Sequence, residues 1–423
     1  MSNISSARFA ALRDDVHATC FSPQEGGVGR VGVEVEFLVV DELTHIPLPL
    51  LGSRGLIERL RRYAGRVNWT ECRGYDGTPR FDAAGAATIS FEPGGQVEIS
   101  TSPFHSASEL LRALHGIVNP LRSALIDEGV TLVSVGIDPY NDVGRVPLQL
   151  HVDRYERMTR YFDEIGRYGV RMMRQTAAIQ VSLDRGSLPA SRWRLLNDLA
   201  PYLIATFANS PYYAGADTGH RSYRALCWRM LDPTRTGAAV PSDDPAAEYT
   251  RFALGASDMM AASPEQSHRP LSETLGDDEN ERWASHLSTL FPEVRPRGHF
   301  EVRSCDAIDS GHYAAPIVLL TGLTYDERSA HEAAILTAES RALLRAAGES
   351  GLRDVAIART ARDLFALALA GARRLGPTIV GGEDLDVATQ FYVDYTARDR
   401  SPADDRVRRE HPTNATATIR SPI

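Results

Sequence analysis

Residues 31 to 40, VGVEVEFLVV, put Val31, Val33, Val35, Phe37 and Val39 at every second position, with Glu34 and Glu36 in register between them. A period of two is that of a strand with one apolar face, and it forces both glutamates onto the other face. The same construction recurs along the chain. In ATISFE, Ile89 and Phe91 alternate with Ser90 and Glu92; EPGG breaks the run, and QVEIS resumes it with Val97 and Ile99 opposite Glu98. TAAIQVSLD sets Ile179, Val181 and Leu183 against Gln180 and Ser182, and HFEVRS sets Phe300 and Val302 against Glu301 and Arg303. If these strands share a sheet whose apolar face is covered by helices, the acids converge on one open face.

Helical patterns lie between the strands. SASELLRALHGIVNPLRSALIDEG begins with Ser106 or Ser108 as its N-cap, and SRWRLLNDLAPYLIATFA follows the fourth acid-bearing run. The interleaving predicts an α+β fold. From Asp243 to Asn280 the chain is acidic, rich in Pro and Ser and weakly patterned, which reads as a long surface excursion, either a mobile lid or a plain loop. Residues 326 to 375 are rich in Ala, Leu and Arg at helical spacing, and the polar stretch from Ala397 reads as frayed.

Converging glutamates repel. Two unit charges about 4 Å apart cost about 4 kcal/mol at an effective dielectric near 20. A hard cation removes that cost, and Mg²⁺, which takes oxygen ligands and commonly joins carboxylates to nucleotide phosphates, suits such a set, with Gln180 offering a neutral oxygen at the same level. A lone strand glutamate is ordinarily just solvated; Glu34, Glu36, Glu92, Glu98 and Glu301 together point to metal. Arginines supply the counterpart: Arg224 and Arg235 in SYRALCWRMLDPTRTG, Arg295 in FPEVRPR, and Arg303 beside Glu301. A planar guanidinium clamps a carboxylate or phosphate through paired hydrogen bonds.

Composition narrows the chemistry further. The chain contains no lysine, all 46 Lys-plus-Arg positions being arginine, so the phosphate-cradling lysine of P-loop NTPases, the strand lysine of protein kinases and the Schiff-base lysine of pyridoxal phosphate enzymes are absent. A formal charge of −9 argues against nucleic acid or anionic membrane as a partner. Four dispersed cysteines without a C-x-x-C pair suggest neither zinc knuckle nor disulfide framework, and a reducing cytoplasm is the simplest home. Gly27, Gly29 and Gly32 match a dinucleotide-binding spacing, but they open a strand instead of following one, so a flexible entry loop is the better reading. HEAAI at His331 lacks the second histidine of a zinc-protease helix.

Several motifs occur in order: GVEVEF, FEPGGQVEIS, RYERMTRYF, QVSLD, FANSPY, the S-x-R-x-x-x-W-x-x-x-D-x-x-R-T-G pattern from Ser222 to Gly237, and FPEVR followed by FEVRSCD. Together they resemble the glutamate-cysteine ligases of the class shared by plants and many bacteria, over about Gly32 to Leu323. The Ala- and Arg-rich setting resembles the actinobacterial branch that serves ergothioneine biosynthesis. The resemblance implies a glutamine-synthetase-like catalytic domain: a curved, mostly antiparallel sheet forming a funnel, helices outside, active site within. It places this domain in residues 1–325, with a surface insert at about 240–282, a helical C-terminal subdomain packed on it at 326–400, and a flexible tail at 401–423.

The same resemblance implies metal ligands at Glu34, Glu36, Glu92, Glu98, Gln180 and Glu301, holding two or three Mg²⁺ ions, with Mn²⁺ as a possible substitute, against the co-substrate ATP. It puts Arg295 and Arg224 on the glutamate carboxylates, with Trp228 and Gln180 beside the substrate, and Arg235 and Arg303 on the phosphate side. The catalytic set it implies is Glu36, Glu98, Glu301, Arg303 and Arg235. The implied reaction joins the γ-carboxylate of L-glutamate to the amine of L-cysteine through γ-glutamyl phosphate. Ligation to a different amine, phosphoryl transfer to a guanidine, and a silent binding protein are the rival readings. The redox cysteine pair of plant relatives has no match here.

Overall fold

The computed structural model describes residues 4–24, 29–74, 77–237, 241–261, 263–276 and 279–410. Gly27 of the glycine triplet and the chain from residue 411 onward lie outside them.

Nine strands form one sheet: β1 (Val31–Asp41), β2 (Thr70–Arg73), β3 (Pro79–Asp82), β4 (Ala87–Phe91), β5 (Val97–Thr101), β6 (Val130–Val133), β7 (Ala178–Leu183), β10 (Val294–Pro296) and β11 (Phe300–Asp306). A separate hairpin supplies β8 (Tyr212–Tyr213) and β9 (Ala216–Asp217). The order across the large sheet is β10-β11-β7-β1-β5-β4-β3-β2, with β6 pairing on the far end of β1, and every pairing is antiparallel. All five acid- or glutamine-bearing runs are therefore neighbours, although β5 and β7 are separated by some eighty residues of chain.

The alternation holds. Val31, Val33, Val35 and Phe37 are buried while Glu34 and Glu36 are half-buried on the opposite face. Three helices cover the apolar face: Ala107–Ile126 lies on β1 and β6, Pro189–Thr206 on β10 and β11, and Ala314–Tyr325 on β7. Ser106 caps the first of them, its Oγ accepting from the Glu109 N–H at 3.3 Å. Leu110, Leu114, Val118 and Leu121 of that helix are fully buried, each contributing roughly 1.5–3 kcal/mol of apolar burial.

Two expectations fail in this region of the chain. The stretch 243–280 is no loose excursion: it contains the helices Pro245–Gly255, Pro264–Ser267, Leu271–Thr274 and the start of Asn280–Leu287, and it buries Tyr249, Thr250, Ala253 and Asp258. Asp258 pairs with Arg282 and accepts from Thr274 Oγ1 at 2.9 Å. Helices of one to three turns are too short to display a helical period, and two of the acidic residues that suggested solvent are a cap and a buried pair: Asp244 accepts from Ala247 N–H at 3.0 Å, and Asp258 pairs with Arg282. The tail expectation also fails for its first ten residues, where Pro402–Glu410 is a helix with Ser401, Ala403 and Asp404 buried. Its composition is that of a frayed end, but Asp404 is held by Arg221 at 3.2 Å and Arg353 at 3.1 Å.

After residue 326 the helices Glu327–Leu336, Val355–Leu375 and Gly382–Asp394 pack on Ala314–Tyr325, and one hydrophobic core runs from Leu12 to Phe391 through both parts. The main crossing depends on small residues: a Cβ at Gly322 would lie 2.2 Å from the Ala368 carbonyl oxygen, and one at Gly371 would lie 2.5 Å from that of Gly322. No helix among the described residues is long and apolar enough to cross a membrane.

Candidate active site

Register assembles the acids. Glu34 on β1 stands directly between Gln180 on β7 and Ser100 on β5, and Glu36 stands opposite Glu98, which itself faces Ser90 on β4. One carboxylate oxygen from each of Glu34, Glu36 and Glu98 lies within 4.8 Å of the others. Few donors offset this charge. Gln180 Nε2 donates to both Glu34 and Glu36, the latter at 2.8 Å. Ala178 N–H donates to Glu36 Oε2 at 2.8 Å, and Ser90 and Ser100 Oγ donate to Glu98 Oε1 at 2.7 and 2.9 Å.

Burial, then the charges of Glu98, Glu301 and Glu36, hold the Glu34 carboxyl well above the ordinary carboxylate range. Glu36 is pushed up to about 7, by burial first and Glu98 next, against the lowering pull of Arg224. Glu92, just past the end of β4, is raised by burial, then by Glu98 and Glu36. The Gln180 side-chain oxygen is buried beside them with no hydrogen-bond partner. Three crowded carboxylates, all hard oxygen donors, and an orphaned amide oxygen are the donor set a divalent hard cation takes, so the residues present fit such an ion.

Across β7 the charge reverses. Glu301 Oε2 accepts from Arg295 Nε and Arg303 Nη1, both at 2.7 Å, and its carboxyl is held far below the usual range because these two guanidiniums outweigh its burial. Arg303 and Arg224 both sit over the Trp228 ring, at 5.1 and 4.8 Å from its centroid, and the Trp228 indole N–H is fixed by the Phe291 carbonyl at 2.8 Å. Arg224 also donates to the Arg303 carbonyl at 2.9 Å. A bulge in β11 between Val302 and Cys305 shifts its register on β7 at this point.

The structure thus brings together Glu34, Glu36, Glu92, Glu98 and Gln180 on one side and Arg224, Trp228, Arg295 and Arg303 on the other, with Glu301 committed to the arginines and outside the tight three-carboxylate group. Arg235 does not join them. Fully buried, it donates to the Thr289 carbonyl and Oγ1 and to the Ser257 carbonyl, and its Nε stands 3.1 Å from Asp232. Its guanidinium is spent on framework partners and has no exposed surface, so the structure gives no support to the phosphate-side and catalytic roles expected of it.

Sequence reasoning left several functional neighbours without a role. Arg154 of RYERMTRYF is close enough for its charge to favour the Glu92 carboxylate. Glu293, half-buried, and Asp306, buried, are carboxylates flanking the arginine side: Glu293 accepts from Ser304 Oγ at 2.8 Å, and Asp306 lies 3.9 Å from Arg224. Both sit inside motifs that were legible, FPEVR and FEVRSCD, but nothing in the pattern says that these acids turn inward.

This antiparallel sheet, with an acidic wall beside an arginine wall, has the fold of the glutamine-synthetase-like ligases. The crystal structure of the glutamate-cysteine ligase of Francisella tularensis, in complex with AMP, shares it with a TM-score of 0.55 over 92% of this chain and 86% of that one, at 14% identity. The profile of glutamate-cysteine ligase family 2 (GCS2) matches residues 30–380, and the chain belongs to that family. It is a ligase. It is 31% identical over 414 residues to the glutamate-cysteine ligase EgtA of Mycolicibacterium smegmatis, covering 92% of this chain and 89% of that one. To the EgtA of Mycobacterium tuberculosis it is 33% identical over 343 residues, 76% of each chain.

Proposed function

We propose that this chain joins the γ-carboxylate of L-glutamate to the amine of L-cysteine at the expense of ATP, giving γ-glutamylcysteine, ADP and phosphate for ergothioneine biosynthesis. The observation that carries the reading is the pairing of Glu36 with Glu98 and of Glu34 with Gln180 on one sheet, beside Arg224, Arg295 and Arg303, in a member of this family.

A carboxylate is a poor electrophile, so it is first converted to γ-glutamyl phosphate, which the cysteine amine then attacks. Glu34, Glu36 and Glu98, with Glu92 and Gln180 beside them, would hold two or three Mg²⁺ ions, or Mn²⁺ in their place. Ions held there would supply neutralisation of the charge that develops during phosphoryl transfer from ATP. Arg224, set over Trp228, binds a glutamate carboxylate together with Arg295; Arg303, anchored by Glu301, faces the transferred phosphoryl group. Both guanidiniums are oriented before substrate arrives, so little reorganisation accompanies the reaction. The four cysteines are all free, which suits a reducing cytoplasm.

The test is ADP release by the purified chain with Mg·ATP and glutamate, with and without L-cysteine, with mass detection of the product. Cysteine-dependent release and a γ-glutamylcysteine mass are expected. Release indifferent to cysteine, or a different amine in the product, overturns the acceptor; absence of any turnover overturns the ligase assignment to this site.

A further inference from the structure

Arg224 faces a buried carboxylate whose hydrogen-bond donors adjoin a helix lying outside the family profile. Asp306, at the end of β11 and 1% exposed, faces Arg224 at 3.9 Å and is held by three donors: Asn209 N–H at 2.8 Å, Ser210 Oγ at 2.7 Å and Ser222 Oγ at 2.9 Å. Ser210 Oγ in turn accepts from the Arg224 N–H at 3.2 Å. The donors come from two segments, 208–210 and 221–222, that are loops rather than sheet.

Both segments are clamped by Pro402–Glu410. Ala403 N–H donates to the Ala208 carbonyl at 2.9 Å, and Arg406 donates through Nε to Asn209 Oδ1 and through Nη2 to the Ser134 carbonyl at 3.3 Å. Asp404 holds Arg221, the residue before Ser222, at 3.2 Å. The family profile ends at residue 380. We propose that the C-terminal helix Pro402–Glu410, through Arg406 and Asp404, is a positioning element of the active site: it fixes the donors of Asp306 and so sets the place of the Arg224 guanidinium that binds the glutamate carboxylate.

The alternative is that the helix merely adds stability, and the two differ in which constant moves. A strut behind Arg224 acts on glutamate and leaves the ATP side, built from β1, β4, β5 and β7, untouched. The inference rests on the assignment of glutamate to Arg224. In the full chain, Arg406→Leu and the milder Asp404→Asn are expected to raise the KM for glutamate by about tenfold and about threefold, the range for residues coupled to a site without touching its ligand. The KM for ATP and kcat should stay within about twofold, since neither constant draws on the Arg224 contact. Asp306→Asn, isosteric but uncharged, should raise the same constant at least as far as Arg406→Leu. Normal turnover by the unaltered chain, with an unchanged glutamate KM in both C-terminal variants or an equal loss in every constant, overturns this inference alone. Failure of the unaltered chain to turn over glutamate overturns the functional reading and this inference with it. If Arg406→Leu does not fold, Asp404→Asn and Asp306→Asn decide the matter by the same split.

Discussion

The two halves of the candidate site are built on opposite electrostatic plans. On β1, β4 and β5 the carboxylates of Glu34, Glu36, Glu92 and Glu98 crowd one another with only an amide, a backbone N–H and two hydroxyls for relief. On β10, β11 and the helix Tyr223–Leu231 the charges are paired: Glu301 with Arg295 and Arg303, Arg303 and Arg224 with the Trp228 ring, Arg224 with Asp306. The acidic half holds repulsion that a bound cation would relieve, and the proposed ion site rests on it; the basic half is already organised.

That contrast can be broken by substitution. The largest effect is expected at Glu36: Glu36→Ala should cut Mg·ATP-dependent turnover by at least about 10³-fold while circular dichroism stays unchanged, and retained turnover would sink the acidic wall as a cation site. Next comes Glu301→Gln, which leaves Arg295 and Arg303 buried without a counter-charge and should cost about 3–5 kcal/mol of stability by denaturant titration. Glu98→Gln should do the reverse in metal-free protein, raising stability by about 1 kcal/mol as repulsion falls, and the drop in melting temperature expected on adding chelator to the Mg²⁺-loaded unaltered chain should vanish in this variant. Equal signs for the two substitutions would erase the distinction between the halves.

Away from the site, Arg235 acts on a buried histidine, His286. Burial, then the charge of Arg235, pushes its pKa down to about 3, and its Nε2 donates to the Ala253 carbonyl at 2.9 Å. The folded form therefore binds fewer protons than the unfolded chain between pH 6.5 and about 3. Stability from this group is complete above 6.5 and is lost as pH falls through that window, at up to about 1.4 kcal/mol per unit. Melting curves of His286→Asn over the same range should be flatter; an identical acid slope would show that other groups govern it.

The acid-bearing strands were legible because a period of two survives in a single sequence: the spacing of Glu34 and Glu36 alone puts them on one face. Their partners were not legible, since β5 and β7 reach β1 from opposite sides across long stretches of chain, and pairing Glu36 with Glu98 instead of with Ser100 is a matter of two residues of register, a shift that leaves the apolar face unchanged. Arg235 shows the limit from the other side. In an Arg-rich chain its place in DPTRTG looks no different from that of an arginine facing a substrate, and only its complete burial among Thr289, Ser257 and Asp232 distinguishes them. The 243–280 stretch and the C-terminal helix were misread for a related reason. Short helices with acidic caps and buried ion pairs carry the composition of a surface loop.

By itself the sequence determined which residue types share a face, because alternation is local and β4, β5 and the first half of β1 obey it, and it determined the family, because ordered motifs persist when most positions do not. Tertiary structure alone decided which acid faces which, that Glu301 belongs to the arginines, and that a helix beyond the family profile stands behind Arg224. Those outcomes depend on register, burial and the choice of ion-pair partner, and each is set by residues far apart in the chain.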